Sequence, residues 1–341
     1  MLELHVVLFI VGAAVILWSG SRLPILARSV AVSLGIGATT IGLFVLALIT
    51  SLPEFAVTLT AVFRGSPDLA LGNVLGSNNF NLATIIFLEF VAARGVFLAY
   101  VDKRRFTKTC SLVAGFTAFT GLGVLLGWSD ASGLTPVVVV SLPIVVVFVI
   151  ESSLGGRGLL DEENEEPPPA PATSGEVLRF IGFGALVVAA GVVVSLSADV
   201  ISTHQFTIGG RPLVLGHSFV GTLFVAVATS LPEVTVAVGA VRGARSGDMA
   251  LGTLLGSNSL NVLIFAVGAP LLWFREGRSG WSMLSDVNLV NVVVALLLTG
   301  AVLAAMKTAR KGRPSRVSRL LIAAMGPVYL VGLYLVFRGG P

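Results

Sequence analysis

Ala47-Leu-Ile-Thr-Ser-Leu-Pro-Glu54 and Ala226-Val-Ala-Thr-Ser-Leu-Pro-Glu233 are two copies of one stretch of this chain. Each copy lies within an apolar run that is long enough to cross a bilayer, and each places one carboxylate near the middle of that run. An acidic residue at that depth costs about 2.5–3.5 kcal/mol on insertion scales. Because the chain bears this cost twice in matching contexts, we expect the two carboxylates to face each other and hold a metal cation.

The composition is that of an integral membrane protein. The 341 residues are 55% hydrophobic and 12% charged, and the mean hydropathy is +0.95. Soluble domains carry about 25% charged residues. The net charge of +4 does not indicate a nucleic-acid partner, because the lysines and arginines lie in short loops between apolar runs. Cys110 is the single cysteine, so an intramolecular disulfide is excluded.

Hydropathy predicts an all-α protein with ten membrane-spanning helices. The predicted spans are residues 3–20, 38–64, 68–93, 108–127, 134–150, 177–203, 216–242, 247–274, 286–306 and 316–337. The odd-numbered loops and the span ends next to them carry 17 of the 22 lysines and arginines. By the positive-inside rule, we expect odd loops in the cytoplasm, both termini outside, and a multi-pass protein of the cell membrane.

The duplication extends well beyond the opening stretch. Residues 42–88 match residues 221–268, and Asp68-Leu-Ala-Leu-Gly-Asn-Val-Leu-Gly-Ser-Asn-Asn-Phe-Asn81 aligns with Asp248-Met-Ala-Leu-Gly-Thr-Leu-Leu-Gly-Ser-Asn-Ser-Leu-Asn261. Five spans separate the copies, so the second enters the membrane from the opposite side. We therefore predict two inverted five-helix repeats, residues 1–150 and 176–341. The acidic, proline-rich segment 151–175 would join them as a solvated cytoplasmic linker.

Prolines and glycines of the repeat predict how its helices meet. Pro53 and Pro232 lack an N–H and should break their helices, which frees a backbone carbonyl one turn earlier for a bound cation. Small residues four apart allow close approach to a neighbouring backbone; these are Gly72, Gly76, Gly252 and Gly256. Such packing would bring Ser77 and Asn81 within reach of Glu54.

The candidate ligands are all oxygen atoms. They are the carboxylates of Glu54 and Glu233, the amides of Asn81 and Asn261, the hydroxyls of Thr50, Ser51, Ser77, Thr229, Ser230 and Ser257, and freed carbonyls. The absence of His and Cys from these segments argues against zinc, copper and iron. A dry cage rich in oxygen favours Ca²⁺, which takes about 6–8 oxygen ligands, and Na⁺ can share it.

The two Thr-Ser-Leu-Pro-Glu segments, each followed by Gly-Ser-Asn-x-x-Asn, resemble the two α-repeats of the cation/Ca²⁺ exchanger superfamily, the sodium/calcium exchangers. The resemblance implies that Glu54 and Glu233 are central Ca²⁺ ligands and that Asn81 and Asn261 complete the centre. It implies that the hydroxyls, with the backbone carbonyls of Ala47 and Ala226, surround Na⁺ sites. It also implies that the first and sixth spans slide across the rest as a gate.

The chain departs from the family pattern in a few places. Ile49 and Ala228 stand where the family usually has glycine before Thr-Ser, so Ile49 is expected to crowd the helix contact. Asn261 stands where potassium-dependent and some prokaryotic relatives carry Asp, which weakens a K⁺-coupled interpretation. The linker is too short for the regulatory domain of the animal exchangers.

These observations predict a secondary antiporter that exchanges Na⁺ for Ca²⁺ by alternating access. H⁺-coupled or K⁺-dependent cation antiport in the same fold is the first alternative, and a passive cation channel is the second. An enzyme is not indicated, because the spans show no nucleophile–base pair, phosphate-binding glycine loop or cluster of metal-binding histidines. We expect no cofactor and no protein partner; the bilayer and inorganic cations are the expected partners.

Overall fold

The computed structural model describes residues 2–33, 46–91, 98, 101–130, 132–158, 170–208, 211–244, 247–309 and 315–340. Helices dominate these residues. In chain order they are α1 (Leu2–Gly20), α2 (Leu23–Ser33), α3 (Leu46–Thr50), α4 (Leu52–Phe63), α5 (Pro67–Val91), α6 (Lys103–Ser129), a short turn (Leu134–Pro136), a π-helix (Val137–Ser141), α7 (Leu142–Gly158), α8 (Ser174–Thr203), α9 (His217–Val220), a π-helix (Gly221–Val225), α10 (Ala226–Gly239), a π-helix (Ala240–Ala244), α11 (Gly247–Leu271), α12 (Trp273–Glu276), a 3₁₀-helix (Gly280–Met283), α13 (Val287–Thr308) and α14 (Arg316–Gly339).

The helices are those of a multi-pass membrane protein. Seven helical stretches among the described residues are long and apolar enough to cross a membrane: Leu2–Ala27, Lys103–Gly127, Ser174–Thr203, His217–Arg242, Gly247–Leu271, Val287–Thr308 and Arg316–Gly339. Leu52–Phe63 and Leu134–Ile150 are shorter apolar helices. Each predicted span thus contains a helix, although the second predicted span begins in residues 38–45, which lie outside the described part of the chain.

A two-stranded hairpin corrects the all-α prediction. Strand β1 (Gln205–Ile208) pairs antiparallel with β2 (Arg211–Val214), and Phe206 lies opposite Leu213. The hairpin joins α8 to α9. Strand β1 alternates polar and apolar residues with the period of a strand, but four residues are too short a stretch to stand out beside the long apolar helices in a hydropathy profile.

Helices enter the predicted linker, residues 151–175, from both ends. Helix α7 continues to Gly158, beyond the predicted end of the fifth span at residue 150. Residues 159–169, which include the acidic run 161–166, lie outside the described residues. The chain is described again from Ala170, and Thr173 caps α8.

Contacts between loops gather the even-numbered loops at one end of the molecule. The Ser66 hydroxyl donates to Asp199 Oδ1 at 2.6 Å, which joins the second loop to the end of α8. The Ser279 amide donates to the Ser132 carbonyl at 3.0 Å, which joins the eighth loop to the fourth. The Ser285 amide donates to Asp68 Oδ1 at 2.9 Å, which joins the eighth loop to the start of α5 beside the second loop. These loops therefore lie on the same side.

Odd-numbered loops meet at the opposite end. The Asp102 amide donates to Asp248 Oδ1 at 2.8 Å, so the third and seventh loops are in contact. The Lys103 ammonium donates to the Ala309 carbonyl, which brings in the ninth loop. The Ala172 amide donates to the Ser33 hydroxyl at 2.7 Å, so the end of the linker lies against α2.

The polar residues of α5 and α11 lie at the centre of the bundle. Each of these helices packs against the other and against the proline-containing helix of the opposite repeat, so α5 contacts α10 and α11 contacts α4. Helices α1, α8 and α14 form the perimeter and expose much of their apolar surface. This arrangement surrounds a set of buried polar side chains with apolar helices.

Candidate cation-binding site

The two duplicated carboxylates lie in the interior. Glu54 in the first turn of α4 and Glu233 in α10 are both fully buried, and α10 reaches Glu54 through Ser230, three residues before Glu233. One oxygen of each is satisfied by a serine from elsewhere: Ser230 Oγ donates to Glu54 Oε1 at 3.0 Å, and Ser257 Oγ donates to Glu233 Oε1 at 3.4 Å. The Oε2 atoms of both have no hydrogen-bond partner among the described residues.

The hydroxyl groups pair across the two repeats. Thr50 Oγ1 lies 3.4 Å from Ser257 Oγ, and Ser77 Oγ lies 3.4 Å from Thr229 Oγ1. These two contacts are equivalent under the sequence repeat, and all four side chains are buried. Ser51, also buried, has a hydroxyl without a hydrogen-bond partner in the described part of the chain. Five of the six predicted hydroxyls, Ser51 excepted, therefore contact one another or a carboxylate.

The side-chain nitrogen of each predicted amide donates to an asparagine of the opposite repeat. Asn81 Nδ2 donates to Asn258 Oδ1 at 3.0 Å, and Asn261 Nδ2 donates to Asn78 Oδ1 at 3.0 Å. The Oδ1 atoms of Asn81 and Asn261 are buried and unpartnered within the described residues. A buried acceptor without a donor costs about 1–3 kcal/mol, and a bound cation would relieve that cost.

Asn78 and Asn258 were not predicted as part of the site. Besides accepting from the predicted amides, each donates to the other's backbone carbonyl, at 3.1 and 3.2 Å. The signal for them was in the sequence, because both belong to the duplicated Gly-Ser-Asn. Asn291 of α13 was missed as well: its Nδ2 donates to Thr222 Oγ1 at 2.7 Å. Asn291 lies outside the repeated motif, so the sequence held no comparable signal.

Asn73 is a further buried residue that the sequence reasoning left out. Its Nδ2 donates to Thr58 Oγ1 at 3.1 Å, and its Oδ1 accepts from Thr229 Oγ1 at 3.2 Å. The Thr229 hydroxyl also lies 3.3 Å from the Ala226 carbonyl. Asn73 therefore joins α4 of the first repeat to α10 of the second.

The two prolines behave differently, and the prediction of a helix break at Pro232 is wrong. The first copy is interrupted at Ser51, between α3 and α4, with Pro53 in the first turn of α4. In the second copy α10 runs without interruption from Ala226 to Gly239 through Pro232. A proline removes one hydrogen bond but has a helical φ, and the fully packed surroundings of Pro232 hold the helix together. The irregular turn lies earlier, in the π-helix Gly221–Val225.

Ala47 is placed in α3, one turn before Ser51, and Ala226 begins α10. Their roles as carbonyl ligands stay predictions. Ile49 is buried in a cluster with Leu23, Ala27 and Val187 of α2 and α8. The bulky residue thus lies in one cluster with Val187 of α8, one of the two helices expected to form the gate.

The glycines of the first copy make the expected close approach. A Cβ on Gly72 would lie 2.8 Å from the Ser218 carbonyl oxygen, and one on Gly76 would lie 2.5 Å from Thr222 Cα. Helix α5 therefore touches the backbone just before α10. Gly252 and Gly256 occupy the equivalent positions in α11. The segment that would face them by symmetry, 42–45, lies outside the described residues, so their close packing stays a prediction.

The gathered side chains offer hard oxygen ligands to a cation. Two carboxylates, hydroxyls from both repeats and two free amide oxygens are buried together. Oxygen-only sites suit Ca²⁺ and Na⁺ rather than softer transition metals. The carboxylates also repel each other until a cation or a proton neutralises them.

Comparison with known families agrees with this geometry. The sequence model of the family described as sodium/calcium exchanger protein matches residues 4–150 and 177–338. The chain belongs to the sodium/calcium exchanger family. It is thus a member of a family of cation exchangers in the membrane.

Two curated relatives match this family member over nearly their whole length. The putative antiporter CaxA of Alkalimonas amylolytica is 28% identical over 94% of this chain and 97% of its own. The inner membrane protein YrbG of Escherichia coli (strain K12) is 27% identical over 96% of each chain. Both similarities span the two repeats and the segment between them.

Solved structures show the same exchanger fold. Native YfkE aligns with a TM-score of 0.67 at 16% identity, over 98% of this chain and 92% of its own. The H⁺/Ca²⁺ exchanger CAX aligns with a TM-score of 0.64 at 13% identity, over 98% and 90%. The sodium-calcium exchanger NCX_Mj, soaked with Na⁺ and Sr²⁺, aligns with a TM-score of 0.58 at 20% identity, over 98% and 99%.

Proposed function

We propose that this chain is a secondary antiporter that moves Ca²⁺ in exchange for Na⁺, with the ions bound between Glu54 and Glu233 at the membrane midplane. The observation that carries the proposal is the pair of unpartnered carboxylate oxygens, buried among hydroxyl and amide oxygens of both repeats. Two carboxylates neutralise one Ca²⁺ or two Na⁺. Because the two ions need the same oxygens, the binding of one displaces the other.

The proposed architecture is ten spans arranged as two inverted five-helix repeats. The separation of even and odd loops to opposite ends of the molecule supports it, because every span between them must then cross. The reciprocal bonds between Asn78 and Asn258 support a two-fold relation between the repeats. The interruption of the family match after residue 150 supports a linker within residues 151–175.

Alternating access would use α1 and α8 as the sliding pair. These two helices pack along each other and on the proline-containing helices. A Cβ on Gly20 of α1 would lie 2.8 Å from Pro232 Cγ, and one on Gly191 of α8 would lie 2.7 Å from Ala56 Cβ. Small residues at these contacts give each helix a smooth surface against its partner, which suits a sliding motion.

Na⁺ coupling is favoured by the number of neutral oxygen ligands. Ca²⁺ takes about 6–8 oxygens, of which two carboxylates supply up to four. Six hydroxyls and two amide oxygens exceed the remainder, and oxygens beyond what Ca²⁺ needs suit additional Na⁺ ions. H⁺-coupled antiport is the second candidate. The likeness of the fold to the H⁺/Ca²⁺ exchanger CAX favours it, and the two buried glutamates would then carry the protons.

The proposed location is the cell membrane, with both termini outside. The name of the Escherichia coli relative as an inner membrane protein supports it. The basic residues of the odd loops, which include Arg104, Arg105 and Arg319, would then face the cytoplasm.

The test is ⁴⁵Ca²⁺ uptake into proteoliposomes with imposed Na⁺, K⁺ or H⁺ gradients. An outward Na⁺ gradient should drive uptake by the native chain, and Glu54→Gln and Glu233→Gln should each abolish it. Glu276→Gln is the matched control, because Glu276 is exposed and should transport like the native chain. Uptake driven by a pH gradient in Na⁺-free buffer would select the H⁺-coupled alternative, and native exchange by both site variants would refute the site.

A further inference from the structure

The Thr229 hydroxyl has one proton and several oxygen neighbours. Asn73 Oδ1 lies 3.2 Å away, the Ala226 carbonyl oxygen 3.3 Å, and Ser77 Oγ 3.4 Å. A hydroxyl donates one hydrogen bond at full strength. If the proton goes to Ala226, the carbonyl is occupied by its own helix, as is usual for threonine in membrane helices. If it goes to Asn73, the Ala226 carbonyl keeps the lone pair that its helix bond does not use.

Asn73 is built to accept that proton. Its Nδ2 donates to Thr58 Oγ1 at 3.1 Å, which turns the amide so that Oδ1 faces Thr229. Asn73, Thr58 and Thr229 are all fully buried. Since no water competes there, the amide orientation that satisfies both ends is strongly preferred.

The second repeat lacks this arrangement at the equivalent positions. Thr253 aligns with Asn73, and Ala237 aligns with Thr58. The Thr253 hydroxyl donates to the Met249 carbonyl of its own helix at 3.0 Å. The amide acceptor is therefore a feature of one half of an otherwise duplicated site.

We propose that Asn73 is a positioning residue that draws the Thr229 proton away from Ala226, and so makes the Ala226 carbonyl and the Thr229 lone pairs available to Na⁺. The proposal rests on the proposed exchange function and adds a residue that selects between the two ions. Ca²⁺ depends mainly on the carboxylates, whereas the Na⁺ position beside Ala226 depends on neutral oxygens. Asn73 thus acts on the Na⁺ affinity without touching the ion.

The central variant is Asn73→Thr, which installs the residue of the other repeat. A Na⁺ ion must then break the Thr229–Ala226 bond before it binds, so the half-saturating Na⁺ concentration for Ca²⁺ release should rise about three- to tenfold. The half-saturating Ca²⁺ concentration should change less than twofold. Thr253→Ala is the matched control and should leave both unchanged, because its hydroxyl donates to the Met249 carbonyl of its own helix.

Two more variants separate positioning from mere packing. Asn73→Asp keeps the acceptor oxygen at the same place and should avoid the rise in half-saturating Na⁺. Thr58→Val keeps the volume but frees the amide to turn its nitrogen towards Thr229, so it should raise half-saturating Na⁺ in the same direction as Asn73→Thr. Thr58→Val carries the test if Asn73→Thr does not fold.

The inference is overturned if Asn73→Thr or Thr58→Val shifts Na⁺ and Ca²⁺ dependence equally, or shifts neither. It is also overturned if the native chain exchanges Ca²⁺ without any dependence on Na⁺. Cation antiport would still be supported in that case if Glu54→Gln and Glu233→Gln abolish Ca²⁺ uptake. A failure of the Asn73 proposal can therefore be told apart from a failure of the proposed function.

Discussion

Gly76→Ala tests whether the close approach of α5 to the second repeat sets the geometry of the site. The new Cβ would lie 2.5 Å from both Cα and the carbonyl oxygen of Thr222, where ordinary contact begins at 3.4 Å. Because the contacted atoms are backbone, no side-chain rotation relieves the overlap. The helix and the π-helix Gly221–Val225 must separate by about 1 Å, at a cost of about 1–3 kcal/mol for overpacking.

The displacement acts on the site directly. Ser77, next in sequence, lies 3.4 Å from Thr229 Oγ1, and a further 1 Å takes the two hydroxyls out of each other's reach. We expect the free energy of unfolding in detergent to fall by about 1–3 kcal/mol and Na⁺-driven ⁴⁵Ca²⁺ uptake to fall at least tenfold, since errors of this size cost about 100-fold in comparable sites.

Gly300→Ala is the matched control. Gly300 lies in the middle of α13 with nothing within 4 Å of its would-be Cβ. Alanine is the better helix former by about 1 kcal/mol, so stability should hold or rise and transport should not change. If Gly76→Ala has the same free energy of unfolding and the same rate of ⁴⁵Ca²⁺ uptake as Gly300→Ala, the claim that this contact positions the site is refuted.

Two further outcomes follow from individual hydrogen bonds. Ser230→Ala removes the donor to Glu54 Oε1 and should raise the half-saturating Ca²⁺ concentration about three- to fifteenfold, given the usual worth of such bonds in membrane bundles; an unchanged value in flux assays would contradict it. Asn78→Ala leaves Asn261 Nδ2 without its acceptor and should lower the free energy of unfolding by about 1–3 kcal/mol. A thermal unfolding curve that matches the native chain would show that the bond contributes nothing.

The duplicated carboxylates and their neighbours were predictable from the sequence. Burial of a charge is costly enough that Glu54 and Glu233 stood out, and helical spacing placed Thr50 and Ser51 on the face of Glu54, and Asn81 on the face of Ser77 in the next helix. The structure buries all of these side chains, and their roles as cation ligands stay predictions. Because the motif occurs twice, each candidate residue in the first copy had a counterpart in the second copy that supported the same assignment.

The contrast between the two prolines was not predictable in this way. Pro53 and Pro232 sit in the same local sequence, yet one follows an interruption at Ser51 and the other lies inside a continuous helix. Packing decides between these outcomes, and packing partners come from distant parts of the chain. Pro232, for example, faces Gly20 of the first helix.

The supporting amides show where sequence reasoning needs a second step. Asn78 and Asn258 were visible in the repeat, but their reciprocal bonds depend on the crossing of α5 and α11. Asn73 looked like any polar residue in a glycine-rich helix until Thr58 and Thr229 were seen on either side of it. Asn291 lies in a helix outside the sequence repeat. Only its hydrogen bond to Thr222 in the structure shows that it belongs near the site.

The mutual bonds of Asn78 and Asn258 make each half of the polypeptide a template for the other. The side chain of each asparagine donates to the backbone carbonyl of the other. Both halves therefore contribute a donor and an acceptor to the contact, and neither bond requires the covalent linker. We therefore expect two separately synthesised fragments, divided within residues 159–169, to associate in a bilayer through this surface. The connecting segment would then affect how fast the halves meet rather than which surfaces join.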